Sequence, residues 1–256
     1  MLFSSAKPSL RLKPFINAAP SYLANDAGVS ALLLLLVLAW ELVGADLAVM
    51  RWWGDTSGFA LRDMWTVLHQ AGRVLSWLVL GGMAWCAVKA PSPTAINTAR
   101  KLPSLGQRRT ALVITLASIA VVQLIKRAST TSCPWDLSEF GGMVSYVSHW
   151  NLALSDGGPG HCFPSGHSSA AFCFLTLYFM WRGVDAQRAR VWLAAVCLAG
   201  VLFSLTQIIR GAHYPSHVLW TAWLCWTVPL AARLLGHVAS KVRRTRLAVA
   251  IPVKLN

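Results

Sequence analysis

Long apolar runs separated by short polar stretches dominate the chain. A helix needs roughly 20 apolar residues to cross a hydrocarbon layer, and six runs approach that length. We expect the third and fourth, which are short, to extend into their loops. The pattern predicts an all-α polytopic membrane protein, a bundle of six transmembrane helices near 29–50, 73–90, 110–126, 167–182, 190–209 and 213–234.

These spans divide the chain into three predicted parts. An N-terminal segment, 1–28, precedes a six-helix membrane domain over 29–236, and a basic tail follows over 237–256. The domain includes a long loop at about 127–166. The first apolar run is too long for the apolar part of a signal peptide and lacks a convincing cleavage site, so we interpret it as a retained span.

Composition agrees with a membrane location. Hydrophobic residues make up 55% of the 256 residues and charged residues only 12%, whereas soluble domains contain about 25% charged residues. The net charge of +14 comes from basic residues scattered between the apolar runs. A nucleic-acid-binding surface would gather them on one domain, so we do not expect nucleic acid as a partner.

The distribution of lysine and arginine predicts the orientation. With six spans, 17 of these residues fall on the side of both termini and 6 on the other side, which together account for all 23. The positive-inside rule then predicts cytoplasmic termini. We expect a bacterial inner membrane protein whose loop at 127–166 faces the periplasm. The larger group includes Lys7, Arg11, Lys13, Arg100, Lys101 and Lys254.

Three polar stretches lie at the predicted outer face. In "LIKRASTTSCPWD", Lys126 and Arg127 end the third span. Such residues often only extend towards water, but beside other polar groups they are candidate clamps for phosphate oxygens. The other two stretches are "GHCFPSGHSSAAF", before the fourth span, and "RGAHYPSH", between the last two.

The second stretch has features of a phosphate site. Ser165 is a suitable helix cap, and Gly166 allows a ligand to approach closely. The N–H groups of a first helical turn attract anions, and His167 is placed to donate a proton to a leaving group. The alternative is a capped helix with an interfacial histidine.

The third stretch carries two further histidines. Arg210, His213 and His217 have helical spacing, although Pro215 predicts a joint between a loop and a helix. A histidine here can attack phosphorus and hold the phosphoryl group covalently, provided that another residue fixes its tautomer. The alternative is again structural, with interfacial histidines beside an arginine.

The residues "PSGH" at 164–167 and "HYPS" at 213–216 resemble the phosphatidic acid phosphatase type 2 superfamily. That family has the motifs Lys-x6-Arg-Pro, Pro-Ser-Gly-His and Ser-Arg-x5-His-x3-Asp. Lys126 matches the first lysine, His167 the second motif's histidine and His213 the third motif's histidine. The resemblance covers roughly residues 110–235.

The resemblance implies a membrane enzyme that hydrolyses a lipid phosphate monoester or pyrophosphate through a phosphohistidine. His213 would be the nucleophile and His167 the acid, while Lys126 and the region of Ser165 and Gly166 would bind phosphate. It also implies no metal and no cofactor, with a lipid phosphate and membrane lipids as partners. The oligomeric state stays open.

The chain departs from the motifs at three positions. Cys133 and Gln207 replace the two arginines, and His217 stands in place of the aspartate. We expect Arg210, almost one helical turn after Gln207, and Arg127 to return guanidinium groups to the site.

The group that orients His213 stays open in the sequence. A neutral His217 can accept a hydrogen bond from His213, and Asp136 or Glu139 is available to supply negative charge.

Two cysteines lie at opposite ends of the outer loop. Cys133 and Cys162 are expected to form a disulfide if that side of the membrane is oxidising. The bridge would hold the first motif's proline, Pro134, next to Pro-Ser-Gly-His. The remaining four cysteines lie in apolar spans, where small buried hydrophobic residues are usual.

Three other functions stay open. A lipid phosphotransferase would use the same phosphohistidine with a different acceptor, and a degenerate site would bind phosphate without cleaving it.

The third alternative is a metal-binding or transport protein, because imidazole and thiolate ligands suit zinc. Apart from Glu41 and Asp46, however, no span carries the charges expected of an ion path. The metal ligands would come from His161, Cys162, His167, His213 and His217.

Overall fold

The computed structural model describes residues 20–63, 66–89, 102–151 and 154–249, and no β-strand occurs in these ranges. The all-α prediction is therefore confirmed for the described chain. The helices in these ranges are α1 (Pro20–Val43), α2 (Asp46–Met50), α3 (Thr66–Val88), α4 (Leu105–Ala128), α5 (Gly166–Phe172), α6 (Leu175–Trp181), α7 (Ala186–Ile209) and α8 (Pro215–Val249). Two short 3-10 helices, Pro134–Asp136 and Ser138–Phe140, lie between α4 and α5.

Local sequence explains several helix ends. Before α4, the Ser104 side chain accepts a hydrogen bond from the Gln107 main chain, and the Gln107 side chain accepts one from the Ser104 main chain. This reciprocal pair satisfies N–H groups that a helix start leaves unpaired. Asp185 caps α7, because its side chain accepts hydrogen bonds from the Gln187 and Arg188 main chains. α1 ends before Gly44, which has a φ of 63°. Glycine adopts this left-handed conformation without steric cost, so it is a common residue at the end of a helix.

Five described helices are long and apolar enough to cross a membrane, namely Ser21–Val43, Thr66–Val88, Leu105–Ala128, Ala186–Ile209 and Pro215–Arg243. They also expose large apolar side chains, which is expected where a helix faces lipid tails instead of water. These helices indicate an integral membrane protein. The exposed side chains include Leu35, Leu42, Trp77, Leu78, Leu124, Leu198 and Leu235.

The fourth predicted span, 167–182, is not one helix. It forms α5 and α6, two helices of 7 residues each, with a break at Cys173 and Phe174. The Thr176 hydroxyl donates to the Cys173 carbonyl and also pairs with Thr115 of α4. Most side chains of α5 and α6 are buried, since α4, α7 and α8 all contact this pair. The six-span count is therefore not confirmed.

Other predicted boundaries also shift. α1 begins at Pro20, inside the predicted segment 1–28, and α8 continues to Val249, inside the predicted tail 237–256. The tail extends the helix because lysine, arginine and leucine are good helix formers. The basic residues Lys7, Arg11, Lys13, Arg100, Lys101 and Lys254, which contributed to the predicted orientation, lie outside the described residues. The orientation of the termini therefore stays a prediction.

Side-chain hydrogen bonds join the helices around α5. The Ser76 hydroxyl of α3 donates to the Ala170 carbonyl at 2.8 Å. The Thr221 hydroxyl of α8 donates to the Ser165 carbonyl at 3.1 Å, and the Ser204 hydroxyl of α7 donates to that of Ser168 at 3.0 Å. The start of α5 is thus held among α3, α7 and α8.

Candidate active site

A cavity of about 680 Å³ lies beside the start of α5. Lys126, Gly166, His167 and His213 all line it, so the structure brings together residues from all three polar stretches that the sequence singled out. The rest of the lining is polar near these residues and apolar between α3 and α4. The further lining residues are His69, Arg73, Ser76, Trp77, Leu80, Ile119, Gln123, Cys133, Trp135, Ser169, Ala170, Cys173, Phe174, Gln207 and Ala212.

His213 lies in the turn between α7 and α8, and only 6% of it is exposed. The turn forms because Gly211 adopts φ of 72° and the Ala212 main chain donates to the Gln207 carbonyl at 2.9 Å. Burial lowers the pKa of His213 well below its ordinary value, and the nearby Lys126 and His167 lower it further. The neutral imidazole, which keeps a free lone pair, is therefore the favoured form of His213.

His167 lies in the first turn of α5 between two rings. Its ring centroid is 4.0 Å from that of His69, with an angle of 17° between the planes, and 5.7 Å from that of Phe203. The buried Nε2 atom has no hydrogen-bond partner among the described residues. This nitrogen is therefore available to a ligand in the cavity.

Lys126 and Gly166 are in close contact. Lys126 ends α4, and its Nζ atom donates to the His161 carbonyl. A Cβ atom at position 166 would lie 3.3 Å from the Lys126 Cδ atom and 3.2 Å from the Gln123 Nε2 atom. A side chain at position 166 would therefore crowd Lys126 and Gln123. Glycine leaves room for the lysine to lie beside the start of α5.

Three predicted phosphate-binding residues do not line the cavity. Ser165 is fully buried, and its hydroxyl accepts a hydrogen bond from the Ser168 main chain as a helix cap. Arg127 is exposed. Arg210 donates from Nε to the Arg62 carbonyl at 2.9 Å, so its side chain is engaged elsewhere.

His217 lies behind the cavity, where only 1% of it is exposed. Its Nδ1 atom is 3.0 Å from the Cys162 carbonyl, and its ring centroid is 5.9 Å from that of His213. The Cys162 Sγ atom lies 3.5 Å from the His213 Nδ1 atom. The two histidines thus share Cys162 as a neighbour.

The acidic residues considered from the sequence make other contacts. Asp136 accepts a hydrogen bond from the Cys133 main chain at 3.1 Å, and Glu139 pairs with Arg51. Glu41 lies 3.1 Å from His149, and Asp46 accepts hydrogen bonds from Ser216. None of the four makes a hydrogen bond to His213 among the contacts of the described chain.

A disulfide joins Cys133 to Cys162, with their Cα atoms 5.2 Å apart. Beside it, the His161 main chain donates to the Ser129 carbonyl at 2.8 Å and the Cys162 main chain to the Thr131 carbonyl at 3.0 Å. These contacts hold together the two ends of the loop between α4 and α5. Cys133, Cys162 and His213 offer ligand atoms within 4.8 Å of one another, but the disulfide leaves neither thiolate free for a metal.

Sequence reasoning missed two basic residues of the cavity, His69 and Arg73, both on α3. Because they are four residues apart, they lie on one helix face. Their position at the polar end of an apolar run was the available signal, but the predicted span began at residue 73. Gln207, which was noted as a departure from the third motif, lines the cavity and pairs through Nε2 with the His69 Nδ1 atom at 3.2 Å.

Together, the apolar helices and this cavity define an all-helical membrane protein with a site of two histidines and a lysine. The family model of the PAP2 superfamily matches residues 109–239, which is just over half of the chain. The chain therefore belongs to the PAP2 superfamily, whose members are generally phosphatases. No curated protein and no solved structure matches the sequence.

Proposed function

We propose that the protein is a membrane-embedded phosphatase that hydrolyses a lipid phosphate monoester or pyrophosphate through a phosphohistidine. The reaction takes place at the outer face of a bacterial inner membrane. The observation that carries this proposal is the shared cavity, because Lys126, His167 and His213 come from distant parts of the chain and line the same space. Membership of the PAP2 superfamily supports phosphatase chemistry.

His213 is the nucleophile in the first step. Its Nδ1 atom is next to Cys162, so Nε2 is the nitrogen that attacks phosphorus. A bond forms between Nε2 and phosphorus while the bond from phosphorus to the leaving oxygen breaks. The lowered pKa of His213 favours this step, since only the neutral ring has a lone pair to donate.

His167 transfers the proton and Lys126 binds the phosphate charge. Burial and the nearby His69 lower the pKa of His167 to about 4, so the ring takes up its proton when a negatively charged phosphate binds beside it. It then donates this proton to the leaving oxygen and, once neutral, accepts one from the water that attacks the phosphohistidine. This second step releases phosphate and frees His213. Lys126, beside Gly166, stabilises the charge on the phosphate oxygens throughout.

The apolar half of the cavity supports a lipid substrate. It is lined by apolar side chains from α3 and α4 and by Phe174, namely Trp77, Leu80, Ile119 and Phe174. Trp77 is also one of the exposed apolar residues of the bundle. A lipid is therefore able to place its chain between α3 and α4 while its phosphate reaches His213.

A phosphate-release assay tests the proposal. The purified protein in detergent, with a chelator present, is incubated with diacylglycerol, polyprenyl and saccharolipid phosphates. We expect release from at least one lipid class, and a loss of about 1,000-fold or more in His213→Ala because the nucleophile is absent. His237→Ala, far along α8 from the site, is the matched control and should retain activity. Full turnover by His213→Ala would remove the proposed nucleophile.

A further inference from the structure

α3 contributes a cationic side chain to the cavity that none of the three motifs contains. This residue, Arg73, lines the cavity with Lys126, His167 and His213, although α3 lies outside the matched residues 109–239. We propose that Arg73 is the guanidinium that binds the phosphate group here, in place of the arginines that the first and third motifs lack. The inference rests on the proposed function because it assumes a phosphate ligand.

The two motif positions explain why a replacement is needed. Cys133 stands where the first arginine would be and is held in the disulfide. Gln207 stands where the second would be, and its side chain pairs with His69. Both positions line the cavity, but neither brings a positive charge. Arg73 is the one arginine among the described residues that line the cavity.

The other arginines near this end have different contacts. Arg210 donates to the Arg62 carbonyl, and the Arg62 guanidinium lies 4.5 Å from the centroid of the Trp135 ring. Arg73, in contrast, has no ion pair within the described residues, which include all nine Asp and Glu of the chain. Its charge is therefore available to an anionic ligand.

Contacts on either side of Arg73 fix its helix against the site. One turn before it, His69 stacks on His167 with the ring centroids 4.0 Å apart. Three residues after it, the Ser76 hydroxyl donates to the Ala170 carbonyl at 2.8 Å. The adjacent Gly72 packs so closely that an added Cβ atom would lie 2.9 Å from the Phe203 ring. Arg73 is thus carried by a helix whose position beside His167 is set.

Arg73 and Lys126 reach the cavity from two neighbouring helices, α3 and α4. A guanidinium binds two phosphate oxygens at once, whereas an ammonium acts as a point charge. Together they offer two positive charges to a phosphate that carries up to two negative charges. This pairing accounts for how the site binds phosphate without either motif arginine.

Binding of inorganic phosphate tests Arg73. It is followed by the tryptophan fluorescence of the protein, to which Trp77 and Trp135 in the cavity lining contribute. We expect the Kd to rise about tenfold or more in Arg73→Gln and Arg73→Met, which is the effect of losing a charge-assisted hydrogen bond. The Kd of Arg73→Lys should lie between the Kd of these two variants and that of the unmodified protein. Arg73 is exposed, so its truncation leaves no buried gap.

Arg51→Gln is the matched control, because Arg51 is exposed and pairs with Glu139 away from the cavity. Its Kd should stay within about twofold of the unmodified protein, as for a surface ion pair. An unchanged Kd in Arg73→Gln would overturn the inference, as would a failure of the unmodified protein to bind phosphate saturably.

Lipid phosphate hydrolysis is measured on the same samples to separate the two proposals. If phosphate binding depends on Arg73 but no lipid phosphate is hydrolysed, the proposed function fails and the assignment of Arg73 stands. If lipid phosphates are hydrolysed but the Kd for phosphate does not change in the Arg73 variants, the assignment of Arg73 fails and the proposed function stands.

Discussion

At the scale of single residues, Cys162 is a neighbour of both buried histidines. Its Sγ atom lies 3.5 Å from the His213 Nδ1 atom, and its carbonyl oxygen lies 3.0 Å from the His217 Nδ1 atom. His213 therefore has an uncharged neighbour at Nδ1, whereas the aspartate of the third motif would stabilise a positive imidazolium. Burial lowers the pKa of His213, and no carboxylate among the described residues offsets this effect.

The lowered pKa of His213 predicts how stability depends on pH. The unfolded state takes up a proton as the pH falls through about 6.5, whereas the buried native ring, close to Lys126 and His167, stays neutral. The unfolded state then binds more protons, so the free energy of unfolding falls, by at most about 1.4 kcal/mol for each pH unit from this one group.

The comparison of the protein with His213→Gln isolates this effect, because glutamine does not titrate. Thermal unfolding midpoints in detergent are measured from pH 8 to pH 5. Between pH 7 and pH 5 we expect the unmodified protein to lose more stability than His213→Gln. Parallel profiles for the two proteins would contradict a depressed pKa at His213.

At the scale of elements, the broken pair α5 and α6 replaces a continuous span and carries His167. Its seven-residue helices pack inside the bundle, where α7 passes α5 closely at Gly200. A Cβ atom at position 200 would collide with the Phe172 ring. Glycine therefore allows α7 to approach the helix that positions His167.

Gly200→Ala should destabilise the protein by about 1–3 kcal/mol, because the added methyl overpacks a buried contact. We also expect lower phosphatase activity, since Phe172 and His167 share α5. Thermal unfolding and phosphate release measure the two effects. Gly81→Ala on α3 is the control, because an added Cβ atom there meets no atom within 4 Å. Equal stability of the two variants would show that the Gly200 contact does not restrict packing.

At the scale of the whole molecule, the disulfide joins the segment after α4 to the segment before α5. Cys133 faces the cavity, and Cys162 contacts His213. The bridge therefore links the two ends of this loop to each other and to His213. Its two cysteines are 29 residues apart in sequence.

Replacing both cysteines, in Cys133→Ala with Cys162→Ala, should lower the free energy of unfolding by about 2–4 kcal/mol. Phosphate release should also fall, because the backbone beside His213 loses its covalent link. Unfolding and activity are measured together with a count of free thiols. Cys197→Ala, which changes an exposed free cysteine, should change neither the free energy of unfolding nor the phosphate release. Unchanged activity in the double variant would separate the disulfide from catalysis.

Periodic features and short motifs were predictable from the sequence by itself. Apolar runs predicted an all-α membrane protein because a helix in lipid must satisfy its backbone hydrogen bonds internally. The spacing of Pro-Ser-Gly-His and of His213 indicated the family, which the match over residues 109–239 confirms. Lys126, His167 and His213 were identified on the same basis, and the structure places all three at one cavity.

Contacts between distant parts of the chain determine which arginine faces the cavity and which group lies next to His213. Arg127 and Arg210 were expected there from their spacing, but Arg127 is exposed and Arg210 contacts Arg62, whereas Arg73 lines the cavity. Helical spacing determines which residues share a face. The direction of that face depends on the rotation of each helix against its neighbours, which contacts between distant residues determine.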